Sequence, residues 1–358
     1  MKKILISTGG SGGHVFPAIA FFQHLTNDFE IKFVTDIRGS KFLEKNDISY
    51  KIINVVNIFS KIYLLPINIF KFSFSIFQSL IFIKKNNFNY IVSTGGYMSF
   101  PICIAAKILN IKIILFEPNM IIGRANKFII KFAENILCYS EQVNGISKQN
   151  QKKIIVIPPL LRKEVYEVKN KNQNQLSSPI KIIIIGGSQG ASFFDSNINQ
   201  IVLNLSKNFN LEISQQVSDE NKILNLKKFY NDNKIKNNVY KFDKKLLQNL
   251  KYYDLAISRS GSSVINELCQ VGIPFIAVPF PNATDNHQYL NAKYYEDLGA
   301  CWICQQSEFN NDKITNLLNT IFQNQTEYFK KKQILDKISY QNTWNNINQK
   351  LTKIFNEN

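Results

Sequence analysis

Short runs of apolar residues alternate with longer amphipathic stretches along most of the chain. Such runs are typical of strands buried in parallel sheets, and the stretches between them have the length and pattern of helices. The predicted strands cover residues 3–7, 31–35, 90–93, 112–116, 135–138, 181–185, 211–215, 238–241, 255–258 and 274–278. Strand and helix in regular alternation predict an α/β fold with parallel sheets.

The alternation is interrupted once, by a polar and charged stretch at residues 163–179, and then begins again. A stretch this poor in apolar side chains is typical of a connection between two folded units. We therefore expect two Rossmann-like domains, one over residues 1–160 and one over residues 161–340. A final helix at about 341–358 has a polar face; the pattern alone does not decide which domain it packs on, and a return to the first domain is one of the two options.

The composition supports folded domains and leaves the partner open. The 358 residues are 45% apolar and carry a formal net charge of +17. An excess of this size suits nucleic acid, an anionic membrane surface or a phosphorylated substrate. The five cysteines, Cys103, Cys138, Cys269, Cys301 and Cys304, lie in apolar surroundings without the spacing of a disulfide framework. We expect them to be core residues of a protein from a reducing compartment.

One segment, from Ile58 to Ile83, is crowded with Phe, Ile and Leu and is closed by Lys84 and Lys85. Lysines among large apolar residues are typical of a helix that lies in the headgroup region of a membrane. A core helix of the first domain is the alternative, and both roles can coexist on opposite faces. No uncharged apolar run reaches the roughly 18 to 20 residues of a membrane-spanning helix, so we expect no spanning segment.

Three glycine-rich turns follow predicted strands, at residues 9–14, 95–97 and 186–191. Glycine lets backbone amides approach a ligand closely, and the following helix N-terminus favours phosphate. Asp36 ends the strand after the first turn, where a nicotinamide dinucleotide site would need an acidic ribose partner. The first turn lacks the G-x-G-x-x-G register, so a phosphorylated ligand other than a dinucleotide is favoured.

Candidate catalytic and sugar-binding side chains lie beside these turns and in the second half of the chain. His14 could accept a proton from a hydroxyl near neutral pH, although a packing role stays open, and we interpret His24 as a packing residue. Glu267 follows a Ser/Gly turn, where a carboxylate can accept both hydroxyls of a ribose. His287 and Gln288 carry groups that suit the hydroxyls of a sugar ring.

The order of these motifs resembles the MurG family of bacterial peptidoglycan N-acetylglucosaminyltransferases, in glycosyltransferase family 28. The resemblance rests on GGSGGHVFP, STGGYMSFP, FEPN followed by GRANK, GGSQGA, and SRSGSSVINELCQVGIPFIAVPFPNATDNHQYLNA. It runs from the first strand to about residue 302. It implies the GT-B fold, in which two Rossmann-like domains face each other across a cleft.

The resemblance also implies a reaction: transfer of N-acetylglucosamine from UDP-GlcNAc to the C4 hydroxyl of the muramic acid in lipid I, with inversion, to give lipid II. His14 is then the candidate base, and Gly95, Gly96 and Tyr97 bind the acceptor. The implied donor-binding residues are Ser11, Gly12, Gly13, Asn119, Arg162, Ser188, Gln189, Glu267, His287 and Gln288. Gly12 and Gly13 also lie on the side of the acceptor pyrophosphate.

The expected partners are UDP-GlcNAc, lipid I and an anionic membrane surface, the last through the segment from Ile58 to Lys85. The expected location is peripheral, at the cytoplasmic face of the bacterial inner membrane. The chain offers no Asp-x-Asp pair at a strand end, so we expect no metal and no cofactor. The alternatives are a GT-B relative acting on diacylglycerol, a UDP-GlcNAc 2-epimerase, and a basic nucleic-acid-binding protein.

Three positions depart from the family pattern. Phe100 stands where a small residue is usual, Pro158 and Pro159 precede Arg162 where Asn-Pro is usual, and Asp243 stands where an apolar residue adjoins the uracil. A uracil contact through the backbone would tolerate Asp243, whereas a contact through the side chain would not.

Overall fold

The computed structural model describes residues 1–56, 64–169, 175–243 and 245–357, without the side chains of residues 188–191. The chain forms two compact units. Met1–Lys163 together with Trp344–Asn358 make the N-terminal unit, and Glu164–Thr343 make the C-terminal unit. The chain therefore leaves the N-terminal unit once and returns to it for its last helix.

The N-terminal unit is a parallel sheet flanked by helices. Its strands are β1 (Lys3–Ser7), β2 (Glu30–Thr35), β3 (Tyr50–Ile52), β4 (Tyr90–Ser93), β5 (Lys112–Glu117), β6 (Asn135–Cys138) and β7 (Ile154–Val156). Its helices before the crossing are α1 (Gly12–Leu25), α2 (Ile37–Glu44), α3 (Leu65–Asn86), α4 (Ser99–Ile108), α5 (Arg124–Ile129) and α6 (Lys148–Gln151). The strand order is β3-β2-β1-β4-β5-β6-β7.

The C-terminal unit repeats this plan after the short helix α7 (Lys163–Tyr166). Its strands are β8 (Ile180–Ile185), β9 (Leu211–Gln216), β10 (Lys236–Tyr240), β11 (Leu255–Ser258), β12 (Phe275–Ala277) and β13 (Cys301–Ile303), in the order β10-β9-β8-β11-β12-β13. Its helices are α8 (Gly187–Asn197), α9 (Asn199–Ser206), α10 (Asn221–Asp232), α11 (Leu246–Asn249), α12 (Ser262–Val271), α13 (His287–Asp297), α14 (Asn311–Gln323) and α15 (Gln325–Gln341).

Each sheet places a binding edge at the point where its strand order reverses. The reversal falls between β1 and β4 in the first sheet and between β8 and β11 in the second. These central strands are buried, and their apolar residues form the cores on both faces of each sheet. In open parallel sheets, ligands bind outside the carboxyl ends of the strands at such a reversal. One glycine-rich turn follows each of the strands β1, β4 and β8, and these strands border the two reversals of strand order.

The last helix, α16 (Trp344–Glu357), packs on the N-terminal unit. Its buried face is Ile347, Leu351, Ile354 and Phe355. The ring of Phe355 lies 5.6 Å from that of Phe29 and 5.3 Å from that of Tyr90, between centroids. Lys2 Nζ donates to the carbonyl of Phe355 at 2.8 Å and so caps the helix end. A basic group there is stabilised by the helix dipole.

Helix α3 has an unusual distribution of side chains: three of its four buried residues are polar, and its exposed face is apolar and mostly aromatic. Asn68, Ser75, Ser79 and Ile83 are buried, whereas Phe70, Phe74, Phe77 and Ile81 are exposed. By length and composition alone, α3 could cross a membrane. The expectation that no segment has this capacity was too narrow, because only Lys71 interrupts the helix before Lys84 and Lys85 at its end.

The cysteines are core residues, as predicted: all five are free and buried. Burial raises the pKa of the Cys103 thiol to about 12 and that of Cys304 to about 11. These thiols are therefore protonated and unreactive at neutral pH.

Candidate functional site

The first glycine-rich turn is held in place by Asp36, which caps helix α2. Asp36 Oδ1 accepts hydrogen bonds from the backbone N–H of Gly10 at 2.9 Å and of Gly39 at 2.8 Å. Burial raises the pKa of this carboxyl, but these bonds and the Arg38 guanidinium outweigh it and hold the pKa below its usual value. The carboxylate is thus engaged by the protein's own backbone, which removes the basis for a dinucleotide ribose contact.

His14 lies in the first turn of α1 and is oriented by the second glycine-rich turn. Its Nδ1 is 2.8 Å from the backbone carbonyl oxygen of Thr94. A carbonyl can only accept, so Nδ1 carries the proton and Nε2 is left as a proton acceptor. A Cβ at position 95 would lie 3.3 Å from the imidazole, which is a tight contact, and one at position 96 would lie at an ordinary contact distance of 3.5 Å; both glycines have positive φ, +88° and +84°. The structure therefore brings His14 together with Gly95 and Gly96.

A buried carboxylate, Glu117, organises the loop after β5. It accepts hydrogen bonds from Asn119 Nδ2 at 2.9 Å, from the Gly123 N–H at 2.7 Å and from Asn126 Nδ2 at 3.0 Å. Asn126 also lies beside Gly95. This network fixes Asn119, a predicted donor-binding residue, and connects its loop to the turn that holds His14. We did not single out Glu117 from the sequence, although FEPN contains it.

Arg162 and Ser11 flank the first turn from two sides. The guanidinium carbon of Arg162 lies 4.9 Å from the ring centroid of Phe16, one turn into α1. Ser11 is exposed and precedes α1, and its carbonyl accepts from the backbone N–H of His14. Arg162, which the resemblance assigned to the nucleotide, thus lies near Gly12, with the Phe16 ring between them.

The third glycine-rich turn opens helix α8 at the carboxyl end of β8. The Gly187 N–H donates to Gln216 Oε1 at 3.1 Å, and Gly187 has a φ of +64°. This bond ties the turn to the end of the neighbouring strand β9. Ser188 and Gln189 were predicted to contact phosphate, and their side chains lie outside the described part of the chain.

In the long second-half motif, Gln288 connects two loops at the carboxyl edge of the sheet. Its Oε1 accepts from the backbone N–H of Ser260 at 3.3 Å and of Phe280 at 3.0 Å. The side-chain carbonyl is therefore used inside the protein, and only the amide nitrogen is left to contact a sugar hydroxyl. Gln288 aligns the loop that leads into α12 with the loop after β12.

His287 and Glu267 lie on neighbouring helices at this edge and are both partly exposed. His287 Nδ1 donates to the carbonyl of Thr284 at 2.8 Å, which leaves Nε2 as an acceptor. Glu267 belongs to α12. The preceding residue, Asn266, is buried, and its Nδ2 donates to the Ser262 carbonyl at 2.7 Å. The roles predicted for Glu267 and His287 stay predictions.

Asp243 uses its carboxylate locally. Oδ1 accepts from the Lys245 N–H at 2.7 Å, and Oδ2 is 3.3 Å from Asn249 Nδ2. The side chain thus caps the start of α11. Engagement with its own turn favours a base contact through the backbone at this position.

Arg259 is the residue in the second half that we most clearly overlooked in the sequence. It directly follows β11, and its side chain is buried against several loops of the C-terminal unit. The available signal was a lone arginine directly after an apolar strand, inside a Ser/Gly turn. Within the described residues, no group of three or more His, Cys, Asp and Glu side chains is arranged to hold a metal ion.

The geometry defines a class of protein. Two Rossmann-like units, each with glycine-rich turns at the reversal of its strand order, are the GT-B fold of nucleotide-sugar-dependent glycosyltransferases, and the predicted fold class is confirmed. The chain belongs to glycosyltransferase family 28: its N-terminal domain model matches residues 4–138 and its C-terminal domain model matches residues 181–345.

Two relatives that share one name align with most or all of this chain. A UDP-N-acetylglucosamine--N-acetylmuramyl-(pentapeptide) pyrophosphoryl-undecaprenol N-acetylglucosamine transferase of Pelagibacter ubique (strain HTCC1062) is 42% identical over 357 residues, 100% of this chain and 99% of the relative. The protein of that name from Rickettsia felis (strain ATCC VR-1525 / URRWXCal2) is 31% identical, over 89% and 91%.

Two solved structures share the fold. The crystal structure of MurG from Acinetobacter baumannii matches with a TM-score of 0.77 at 23% identity, and covers 100% of both chains. A glycosyltransferase from Rickettsia africae ESF-5 matches with a TM-score of 0.65 at 17% identity, over 99% of this chain and 98% of the other.

Proposed function

We propose that this enzyme transfers N-acetylglucosamine from UDP-GlcNAc to the C4 hydroxyl of N-acetylmuramic acid in lipid I, undecaprenyl-pyrophosphoryl-MurNAc-pentapeptide, to form lipid II with inversion. The observation that carries the proposal is the 42% identity, over the full chain, to a relative whose name specifies this donor and this acceptor. The site residues of both units support it, as follows.

His14 serves as the base of the transfer. Because the Thr94 carbonyl holds the proton on Nδ1, Nε2 is fixed as the acceptor for the C4 hydroxyl proton. The hydroxyl oxygen then attacks the anomeric carbon, and the bond from that carbon to the β-phosphate oxygen breaks with its electron pair on UDP. Gly95 and Gly96 lie beside the imidazole, and the turn that they form with Tyr97 binds the acceptor pyrophosphate.

The C-terminal unit binds the donor. The turn at Gly186 and Gly187 leads into α8, and the N-terminus of this helix stabilises the negative charge that develops on the leaving UDP. Glu267 accepts the ribose hydroxyls, and His287 and the Gln288 amide contact the sugar. The transfer needs no resident metal ion and no cofactor in this proposal, and activity retained after treatment with EDTA would support that point.

The enzyme works as a peripheral protein at the cytoplasmic face of the inner membrane, and α3 is the contact surface. Its exposed residues Phe70, Phe74, Phe77 and Ile81 follow one stripe of the helix, with Phe70 73% exposed. Lys71, Lys84 and Lys85 are exposed next to this stripe and suit anionic headgroups. The opposite face packs on α4, so a helix lying flat on the bilayer fits better than a spanning one.

The experiment that tests the reaction uses radiolabelled UDP-GlcNAc with lipid I in detergent, and separates lipid products from free sugar nucleotides. We expect a labelled disaccharide-lipid whose formation requires lipid I. Labelled product with diacylglycerol instead, or conversion of UDP-GlcNAc to its 2-epimer without any acceptor, would contradict the proposal and assign one of the related activities.

A further inference from the structure

The buried guanidinium of Arg259, a residue that directly follows β11, contacts the segments after three other strands of the sheet, β8, β12 and β13. Arg259 is 5% exposed, and its backbone N–H donates to the carbonyl of Ile185 at 3.1 Å, which places it beside the end of β8. Nη1 donates to the carbonyls of Val278 at 3.1 Å and Pro279 at 3.2 Å, just after β12. Nη2 donates to Gln306 Oε1 at 2.6 Å, shortly after β13.

Three aromatic rings complete the surroundings of this side chain. The guanidinium carbon lies 4.9 Å from the ring centroid of Phe193 and 5.2 Å from that of Phe194, both on α8. It lies 5.5 Å from the ring centroid of Phe280. One side chain of the loop after β11 therefore contacts α8 and the loops after β12 and β13. These segments carry the third glycine-rich turn and lead into α12 and to Gln288.

The charge of Arg259 has no carboxylate partner among the residues the structure describes. All three acceptors are neutral oxygens, and Nε has no hydrogen-bond partner. Burial lowers the pKa of the guanidinium to about 10, so it stays protonated at neutral pH. A buried cation compensated only by carbonyl dipoles and ring faces is costly, and its field extends to nearby groups because the surroundings screen it weakly.

We propose that Arg259 is a positioning residue for the donor diphosphate: it locks the turns that surround the phosphates, and its uncompensated charge favours the negative charge of bound and departing UDP. The inference rests on the proposed function, because it takes the donor to be a nucleoside diphosphate sugar. It adds a residue that does not itself contact the donor but acts through the turns it holds.

The decisive variant is Gln306→Glu, which supplies a carboxylate at the position that already accepts from Nη2. The new ion pair keeps or strengthens the tie between the loops and neutralises the field of Arg259. We expect the melting temperature to be unchanged or higher, the Kd for UDP to rise about five- to tenfold, and the Kd for uridine to stay within twofold. Gln305→Glu is the matched control, because it makes the same charge change on the exposed neighbouring residue.

Arg259→Met and Arg259→Lys extend the test. In Arg259→Met, affinity for UDP should fall at least tenfold more than affinity for uridine, and Lys should restore part of the difference. If Gln306→Glu binds UDP as tightly as wild type, or if UDP and uridine lose affinity equally in every folded variant, Arg259 is a packing residue and the inference is wrong. A wild-type protein that binds no UDP at all would instead contradict the proposed function.

Discussion

The Nδ1 atom of His14 lies 2.8 Å from the carbonyl oxygen of Thr94, the residue directly before the second glycine-rich turn. This bond selects one tautomer of the imidazole, with the proton on Nδ1 and the basic nitrogen at Nε2. The second turn thus does more than leave room for a ligand, because it also sets the protonation pattern of a catalytic side chain on another element.

Removal of the basic nitrogen should therefore separate the chemical and structural roles of His14. In His14→Ala we expect kcat to fall about 10²- to 10⁴-fold, the range of general-base catalysis, with a near-normal KM for UDP-GlcNAc. His14→Asn keeps a donor for the Thr94 carbonyl and lacks Nε2, so its kcat should fall similarly. Steady-state kinetics with lipid I give both constants. An Asn variant with most of its turnover would reduce His14 to a packing residue.

Glu267→Ala should affect the donor and spare the acceptor. The ribose hydroxyls donate to the charged carboxylate, and the loss of these hydrogen bonds costs about 1.5–3 kcal/mol. This corresponds to roughly a 10- to 100-fold rise in the KM for UDP-GlcNAc. The KM for lipid I should not change. Glu308→Ala is the control, since Glu308 is exposed and pairs only with Lys313. An unchanged donor KM in Glu267→Ala would refute the assignment to the ribose.

The aromatic face of α3 should control membrane binding. Replacement of Phe70, Phe74 and Phe77 by Ser should abolish binding to liposomes and leave activity on detergent-solubilised acceptor intact. Each change of Lys84 or Lys85 to Ala should weaken binding to anionic vesicles by about 1 kcal/mol, an effect that high salt removes. Leu224→Ser, at another exposed apolar residue, is the control. Sedimentation with vesicles measures each variant, and binding that ignores both sets of changes would show that α3 is not the contact surface.

His24 should make the stability of the N-terminal unit depend on pH. This side chain is 2% exposed, is stacked on Trp344 with 3.7 Å between centroids, and donates from Nε2 to the Leu161 carbonyl. Burial lowers its pKa from 6.5 to about 4, although hydrogen bonds with Asn348 and Leu161 oppose the shift. The folded state thus binds the proton less readily than the unfolded state.

The contribution of His24 to the free energy of unfolding is therefore most favourable above pH 6.5 and is lost as the pH falls toward 4. A difference of this size corresponds to about 3 kcal/mol at most. Urea unfolding of wild type and His24→Gln between pH 8 and pH 4.5 should show a steeper loss in wild type over this window. Equal slopes would contradict the assignment. The interpretation of His24 as a packing residue is confirmed, and its burial gives that role a measurable consequence.

The sequence predicted the central strands well and missed edge strands. β1, β4, β6 and β11 were predicted with their observed bounds, because both faces of a central strand are buried and it reads as a continuous apolar run. The three strands missed, β3, β7 and β13, each have three residues and lie at a sheet edge. Three residues are too few to show a strand pattern, even in β7 and β13, where all three are apolar.

The site shows the same limit at the level of side chains. Glycines and helix starts identify the turns, so His14, Gly95 and Gly96 were found as parts of motifs. The roles of Asp36, Glu117 and Arg259 depend on hydrogen bonds to residues 2 to 47 positions away, and no motif in the sequence identifies them. The side-chain amide of Gln288 was likewise expected at a sugar hydroxyl, and nothing in the sequence indicated that its carbonyl oxygen accepts hydrogen bonds from two backbone N–H groups.

The return of the chain to its first unit has a consequence for synthesis. During translation the C-terminal unit, Glu164–Thr343, is complete before the N-terminal unit, which lacks α16 until residues Trp344–Glu357 have left the ribosome. Until then the surface that receives Leu351 and Phe355, around Phe29 and Tyr90, stays uncovered. The N-terminal unit is therefore begun first and completed last. A chain that stops anywhere before Trp344 lacks α16 and leaves the N-terminal unit incomplete.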